Sequence, residues 1–566
     1  MKPFLRSLPF VLALLWMVYC LLDFWQYQSL YRSAIQQFSF LPLAFTGLVF
    51  SLLLAFVGTR YRKKVKPYVN GLLLIAISLV WLTLTVQAFV RANTDAALPP
   101  HQLIQFLGAN LWTAGRIFLI FLLAYAAGDW LLSLTQLGPG KGRYTLLRVG
   151  LGMAILTLML FVLCAFRVLY PPVTWGLLLL FAVLNYRRFL FGLALALWKP
   201  LRRFSDLNMV GMTAFLFLLW WVNLNLVFIN RPFPLGFDAM TLYVNLSSLI
   251  QDYHGLVAGN GFYNWSLFTA LGYLLFQSTE VTLSLSFGGG VLAIMALFAF
   301  GRRWVDPNLA MLITLLFYAM PMVNWLSVKD VKVDMSLLFF LLLILQLFQE
   351  WIARTTARPE EDPPKKSKKK RKKTSTLRRR ILRQLDRPAP SARLVQQFLR
   401  KRLPESVQGH SHLILIGLLT GFAIGVKLTA ILWLMVICSG LLYHHGGYPA
   451  FLATAALATG FSLLAGLDSV AGLRFYNLSA GWLRWVLLFG GGALLLYWAL
   501  FRDQATMRGI QQSLVVVGIS LLMVIPWIAK NLSESEGLNR KALLEGEPAR
   551  PEINVREIER IYQEIE

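Results

Sequence analysis

Runs of about 20 predominantly apolar residues, the length a helix needs to cross a hydrocarbon core, recur along this chain, and the connections between them alternate in charge. In the first half such runs lie near 8–25, 41–58, 68–90, 112–136, 149–166, 171–186 and 209–229. Arg60, Arg62, Lys63, Lys64 and Lys66 follow the second run. Lys141, Arg143 and Arg148 follow the fourth, and Arg187, Arg188, Lys199, Arg202 and Arg203 follow the sixth. The intervening connections carry only Arg32, Arg91 or Arg167. Basic residues accumulate on the cytoplasmic side of membrane helices, so the alternation puts the N-terminus inside and sends the seventh run outward. The expected fold is an all-α polytopic membrane protein.

Composition agrees with that pattern and removes the main alternative. A chain of 566 residues that is 57% hydrophobic and 14% charged, with mean hydropathy +0.60, lies outside the soluble globular range. Its net charge of +27 would suggest nucleic acid if it were spread over a soluble surface. Instead, 19 Lys and Arg against 4 acidic residues fall between Arg354 and Leu403. No aromatic stacking platform or reader module accompanies this segment, so it is read as resting on anionic lipids, and no nucleic-acid partner is expected. Its first part has a disordered composition. Leu377, Ile381, Leu385, Leu394 and Phe398 space its second part as short amphipathic helices with basic faces. Cys20, Cys164 and Cys438 lie in apolar runs at no metal-ligand spacing and are read as packing residues. The N-terminal run lacks a small-residue cleavage site and is read as an uncleaved first helix.

Beyond the seventh run the topology can be followed to the end. A polar, aromatic loop reaches about Trp265, and Ser266 to Phe276 is too short to span and is read as an interfacial helix. Inward passage over 281–300 ends at Arg302 and Arg303. Outward passage over 308–327 ends at the turn from Lys329 to Asp334, and 335–353 returns inside to the basic segment 354–410. The stretch 411–443 is too long for one ordinary span and is divided at Gly425-Val426-Lys427; one long tilted helix is the alternative, and it would put everything downstream on the other side. Spans near 449–466, 483–501 and 510–528 follow, for a total near fifteen, with the charged tail 532–566 outside. The chain then divides into an N-terminal membrane region (1–208), a first core part (209–353) with an external loop (230–279), the basic loop, a second core part (411–531) and the tail.

This topology brings Asp238, Asp330, Asp334 and Lys427 to one outer rim. Ionisable residues there are costly to desolvate and default to functional candidates. Their local sequences carry a resemblance. Phe237-Asp238-Ala239-Met240 with Tyr243 resembles the acidic motif in the first external loop of the GT-C superfamily, integral-membrane glycosyltransferases that use polyprenyl-phosphate sugars. Pro321-Met322-Val323-Asn324-Trp325 followed by Asp334 is similar to the second acidic segment of its protein-mannosyltransferase-like members. The stretch from Gly417 to Ala430 resembles their glycine-rich helix ending in Lys. Pro526-Trp527-Ile528-Ala529-Lys530-Asn531 resembles their last-span signature. Tyr243 is followed by Val244 where the family often has His, and Leu428 follows Lys427 where a Tyr is common.

The resemblance covers about 209–531 and implies a GT-C-like bundle with additional N-terminal helices. It further implies inverting transfer of a sugar to an acceptor hydroxyl at the extracytoplasmic face of a bacterial or archaeal cell membrane. The donor would be a polyprenyl-phosphate sugar, and the acceptor a protein, lipid or glycan. Asp238 is then the candidate base, with Asp334 orienting the acceptor or sharing that role. Lys427 and Lys530 are candidates for the donor phosphate, and Tyr243, Asp330, His254 and Trp265 for substrate contact. A loop histidine without a second ligand is more often structural, and an aromatic belt is the commoner explanation for Trp265. Some members of the superfamily need a divalent ion; no closely spaced acidic pair here calls for one, and no cofactor is required. Gly288-Gly289-Gly290 is read as close helix packing. A transporter or lipid flippase is the main rival, and a catalytically silent scaffold is a third possibility. The orientation is tested by Asp238→Cys on a cysteine-free background. An impermeant maleimide should label it from the extracytoplasmic face of intact cells, and labelling only after permeabilisation would reverse the topology.

Overall fold

The structure, a computed structural model, describes residues 40–61, 70–94, 97–134, 144–198, 207–356, 411–465, 481–501 and 504–534, with a few positions between 15 and 22. The readings made for most of the first run, for 357–410 and for the tail from 535 onward lie outside the described residues, as do residues 466–480. Every regular element among the described residues is helical and none is a strand. That is the expected solution in hydrocarbon, where a helix satisfies its own backbone groups. Nine of these helices are long and apolar enough to cross a membrane, and two further helix pairs qualify jointly across a sharp bend. The chain is a multi-pass membrane protein.

The first helices follow the apolar runs closely. They are α1 (Phe40–Tyr61), α2 (Gly71–Thr94), α3 (Pro100–Leu134) and α4 (Thr145–Ala165). Helix α3 starts well before the run near 112–136. Its first turns carry His101, Gln102 and Gln105, which a hydropathy window rejects but a helix protruding past the hydrocarbon tolerates. Its opening residue is Pro100, a favourable first helical position because the missing N–H would have no partner there.

The run at 171–186 becomes α5 (Pro171–Leu184), and the basic stretch after it, read as a loop, continues as α6 (Tyr186–Trp198) at an 83° bend. Asn185 makes the corner, its Nδ2 donating to Phe181 O at 3.1 Å. Arg188 is buried here with Arg148, and both reach Asp129: Arg148 Nε lies 2.7 Å from Oδ1, and Arg188 Nη1 lies 3.5 Å from Oδ2. Counting basic residues gives topology but does not reveal which of them have a buried partner.

The core continues through α7 (Met209–Ile229), a π-helical turn at Ala239–Tyr243, α8 (Val244–Tyr253), α9 (Asn264–Thr269), α10 (Leu271–Phe276) and α11 (Thr279–Gly301). The interfacial reading of 266–276 is corrected: Leu267, Phe268, Ala270 and Leu271 are fully buried. An interfacial helix needs a polar face, and Trp265 to Phe276 offers none wide enough. The run at 308–327 is α12 (Pro307–Ala319), then a 68° bend into α13 (Pro321–Asn324) and a π-helical turn at Trp325–Lys329. Met320, held extended at ψ 128° by the following proline, makes that bend. Helix α14 (Asp334–Thr356) returns.

The second core part is α15 (Ser411–Val426), a break at Lys427, α16 (Ile431–Ala465), α17 (Gly481–Phe501) and α18 (Gln504–Glu534). The division at Gly425-Val426-Lys427 is where the helix stops. The glycines before it make a packing face: a Cβ at Gly421 would lie 2.5 Å from Ser520 O, and Ser520 Oγ donates to Gly417 O at 3.0 Å. Small residues permit such close approach between membrane helices.

Helix α16 is two antiparallel halves. Ser462 Oγ donates to Met435 Sδ at 3.4 Å although 27 residues separate them, so the chain folds back at Gly447 (φ 64°, ψ −155°) just before Pro449. The spans expected on either side of 447 are therefore separate passages. One buried apolar cluster runs from Ile117 and Leu151 through Trp265 and Phe339 to Phe422 and Trp527, so packing is continuous across the boundary drawn at 208. Gly447 sits in a backbone region open essentially to glycine, where another residue is strained by about 1–3 kcal/mol. Gly447→Ala should lower the melting temperature in detergent, and an unchanged melting temperature would refute the hairpin geometry.

Candidate functional site

Three stretches distant in sequence build the rim. The first leaves α7 at Asn230, which accepts from Thr113 Oγ1 at 2.9 Å and donates to Asn110 Oδ1 at 3.1 Å, both on α3. Arg231 then crosses to the second stretch, its Nη2 donating to Val328 O at 2.8 Å and its Nε to Phe233 O at 3.1 Å. Burial pulls its guanidinium down to about 10, and its hydrogen bonds to carbonyls partly replace the lost water. Gly236 presses against the turn at Asp330, where a Cβ would fall 2.1 Å from Asp330 Oδ1. Asp238 follows, and the π-turn carries the chain through Tyr243 into α8.

The second stretch holds the counter-charges. Asp330 N donates to Trp325 O at 2.9 Å and Lys332 N to Leu326 O at 2.9 Å. Between them, Val331 adopts φ 49°, an unfavourable conformation for a β-branched residue. Its buried side chain belongs to a small apolar cluster with Ile229, Ala239, Val244, Tyr273, Leu283 and Phe287. That packing fixes the residue between Asp330 and Lys332 and the residue after Asp238 on one foundation. Lys332 Nζ bonds Asp238 Oδ2 and lies 3.3 Å from Asp330 Oδ2. Hydrogen bonding to Asp238 raises the Lys332 ammonium above its ordinary value; burial opposes this, and Asp330 reinforces it. Asp330 is buried and also accepts from Trp325 Nε1 at 3.3 Å.

The third stretch is the break at Lys427, extended at φ −155° and ψ 126°. Lys427 Nζ donates to Asp334 Oδ1 at 2.6 Å. Asp334 opens α14, where a carboxylate is favoured by the helix dipole. Tyr243 lies within electrostatic reach of both ion clusters. Burial pushes its phenol up to about 12, with Asp334 and then Asp238 adding to the rise and Lys332 opposing it. Asp238, Asp334 and Lys427 remain about a third exposed (31%, 32% and 39%), so the cluster is open to a ligand.

Asp238, Asp330, Asp334, Tyr243 and Lys427 thus belong to one rim, while three other candidates do not. Lys530 is corrected from phosphate ligand to a buried tie: its Nζ donates to Asn260 O at 2.6 Å and pairs with Glu534 Oε2 at 3.1 Å, with 4% of its side chain exposed. Glu534 in turn accepts from Gly259 N at 3.2 Å, which fastens the loop to α18. Trp265 is corrected from substrate platform to core residue. It is 1% exposed, with Nε1 donating to Ser286 Oγ at 3.0 Å. His254 caps α8 in a left-handed conformation (φ 51°) and packs on Tyr170 at 4.1 Å, a helix length beyond Tyr243. Trp527 of the last-span motif donates to Asn264 Oδ1 at 2.8 Å, and Asn264 Nδ2 donates to Phe422 O at 3.1 Å.

Lys332, which was not among the sequence candidates, is the cation that bridges Asp238 and Asp330. Lys329 lies over the Trp325 ring at 4.0 Å instead of pairing with Asp330. Among the described residues, no group of three or more His, Cys, Asp or Glu is arranged to hold a metal ion. Chemically, the rim offers carboxylates able to accept a proton and ammonium groups able to hold an anion. Comparison with known proteins returns no match: no family model, no curated protein and no solved structure matches the chain.

The Tyr243 shift has a signed consequence. An unfolded phenol ionises near pH 10 and this one near 12, so its contribution to stability is complete below about pH 10 and is lost as pH rises toward about 12. The melting temperature of Tyr243→Phe should therefore fall less than that of the wild type across this window; equal falls would contradict the shift.

Proposed function

We propose that the protein is an integral-membrane glycosyltransferase of the GT-C type, which moves a sugar from a polyprenyl-phosphate donor to an acceptor hydroxyl at the extracytoplasmic face with inversion. The observation that carries this reading is the convergence of Asp238, Asp330 and Asp334 with Lys332 and Lys427 around Tyr243 at one partly exposed rim. The side of the membrane comes from the charge alternation of the loops.

Asp238 is the base: its carboxylate takes the acceptor's hydroxyl proton while the acceptor oxygen bonds to the anomeric carbon. The anomeric carbon–oxygen bond to phosphate breaks, and its electron pair leaves on the phosphate. Polyprenyl phosphate departs as a stable anion, so no general acid is obligatory. Lys427 neutralises that anion as a point charge on a flexible stem, and Asp334 positions Lys427 and the acceptor. Tyr243, protonated at neutral pH, donates a hydrogen bond to the sugar.

One observation favours a second reading, a transporter or flippase. Helix breaks at Met320-Pro321 and at Lys427 flank the charged rim, and discontinuous helices build the binding sites of many transporters. A positioned base contributes about 10²–10⁴-fold. Asp238→Asn is therefore expected to reduce transfer from radiolabelled polyprenyl-phosphate sugars by at least 100-fold in folded, purified protein, and Lys427→Ala is expected to impair it. Full transfer in both variants rejects the glycosyltransferase reading. Movement of a lipid-linked sugar across proteoliposomes without any transfer would favour the second.

A further inference from the structure

Both ammonium groups at the rim are already bound to carboxylates, and one of them is shared. Lys332 Nζ holds Asp238 and Asp330 together, while Lys427 Nζ holds Asp334. A carboxylate whose lone pairs accept an ammonium is poorly placed to accept a hydroxyl proton, so the base proposed above is masked in the resting protein.

The two partners of Lys332 differ in how firmly they are held. Asp330 is buried, accepts from Trp325 Nε1 and is packed against Gly236. Asp238 and Lys332 are 31% and 27% exposed, which leaves their shared bond open to an incoming ligand. A lysine has three donors on a four-carbon stem, so Lys332 can exchange one partner and keep the other. Lys427, paired with Asp334, has no second carboxylate to keep while it turns to a ligand, and the remaining cations are committed elsewhere. Arg231 is spent on backbone carbonyls, Lys329 lies over Trp325, and Lys530 is closed in by Asn260 and Glu534.

The lipid donor's phosphate is a diester with one negative charge, equal to that of a carboxylate, so it can replace Asp238 on Lys332 charge for charge, and it gains further charge as a monoester once the sugar has left. We infer that Lys332 is an exchange ligand, holding Asp238 in the resting protein and passing to the phosphate of the lipid donor, so that donor binding unmasks the base. The inference rests on the glycosyltransferase reading of this site. Asp330 acts as the positioning residue that keeps Lys332 within reach of both partners. Water reaching the empty rim would then meet a masked carboxylate.

A water-soluble carbodiimide tests the exchange directly, because it condenses a carboxylate and an amine in contact into an amide as the reagent takes up the lost water. Purified full-length protein should yield an Asp238–Lys332 cross-linked peptide by mass spectrometry. A saturating short-chain polyprenyl-phosphate sugar, and the polyprenyl phosphate it leaves behind, should each reduce it at least fivefold, and the corresponding prenol without phosphate should not. Lys332→Gln should raise the donor KM at least tenfold, and Lys332→Arg should recover most of that loss. A cross-link yield unmoved by polyprenyl phosphate, or an unchanged KM in Lys332→Gln, in protein that still transfers sugar overturns the exchange and leaves the glycosyltransferase reading standing. Protein that neither binds polyprenyl phosphate nor transfers sugar overturns the reading itself. Inorganic phosphate that depletes the cross-link as strongly as the lipid overturns the lipid assignment and marks a free-phosphate site.

Discussion

A charge held among helices that cross a membrane must find a partner, and the charged rim of this protein is organised by that requirement. Desolvating an isolated carboxylate or ammonium costs several kcal/mol. Here Lys332 serves Asp238 and Asp330, and Lys427 serves Asp334. The same rule operates at the other end of α3, where Asp129 receives two buried arginines from α4 and α6. The two clusters differ in access: Arg148 and Arg188 are almost wholly enclosed, whereas the rim pairs are about one-third open. Enclosure suits a fixed helix junction; partial exposure suits a site that exchanges partners.

The rim is held from below by apolar packing. Val331 keeps an unfavourable left-handed conformation because its side chain is buried among Ile229, Ala239 and Val244. Strain of this kind costs about 1–3 kcal/mol and persists only where the surroundings over-determine it. Its effect is local and chemical: the residues on either side of Val331 are Asp330 and Lys332, and Lys332 joins Asp330 to Asp238. Arg231 adds a polar strap between the same stretches by reaching Val328 O. The short helices 264–276 serve the site from the side, since Asn264 connects Phe422 of α15 to Trp527 of α18. Helix α15 ends at Lys427, so this buried amide steadies the break that presents the second lysine.

The resemblance to GT-C enzymes drew on four short motifs, and their structural roles are unequal. The segments around Asp238 and Asp334 supply the rim. The glycine-rich stretch before Lys427 is a packing surface for α18 that ends where the lysine is needed. The Pro-Trp segment is architectural, with Trp527 and Lys530 both fastening the loop 257–264 to the last helix. A transferase reading therefore rests on the acidic segments and the two lysines they recruit.

Hydropathy and loop charge determined the class of this protein, most of its spans, the break at Lys427 and the convergence of Asp238, Asp330, Asp334 and Lys427 on one rim. Each is legible because membrane thickness sets helix length and because basic residues are sorted by side, constraints that act on the sequence directly. Partnership was decided only by the tertiary structure. Whether a cation is free or spent depends on groups far along the chain: Lys332 meets Asp238 from 94 positions away in sequence, and Lys530 meets Asn260 across 270. Burial is equally non-local, which is why Trp265 could be read as a sugar platform and 266–276 as an interfacial helix until Ser286 and Phe422 were seen beside them. The sign of each charge was written in the chain; its role was fixed by what the fold set next to it.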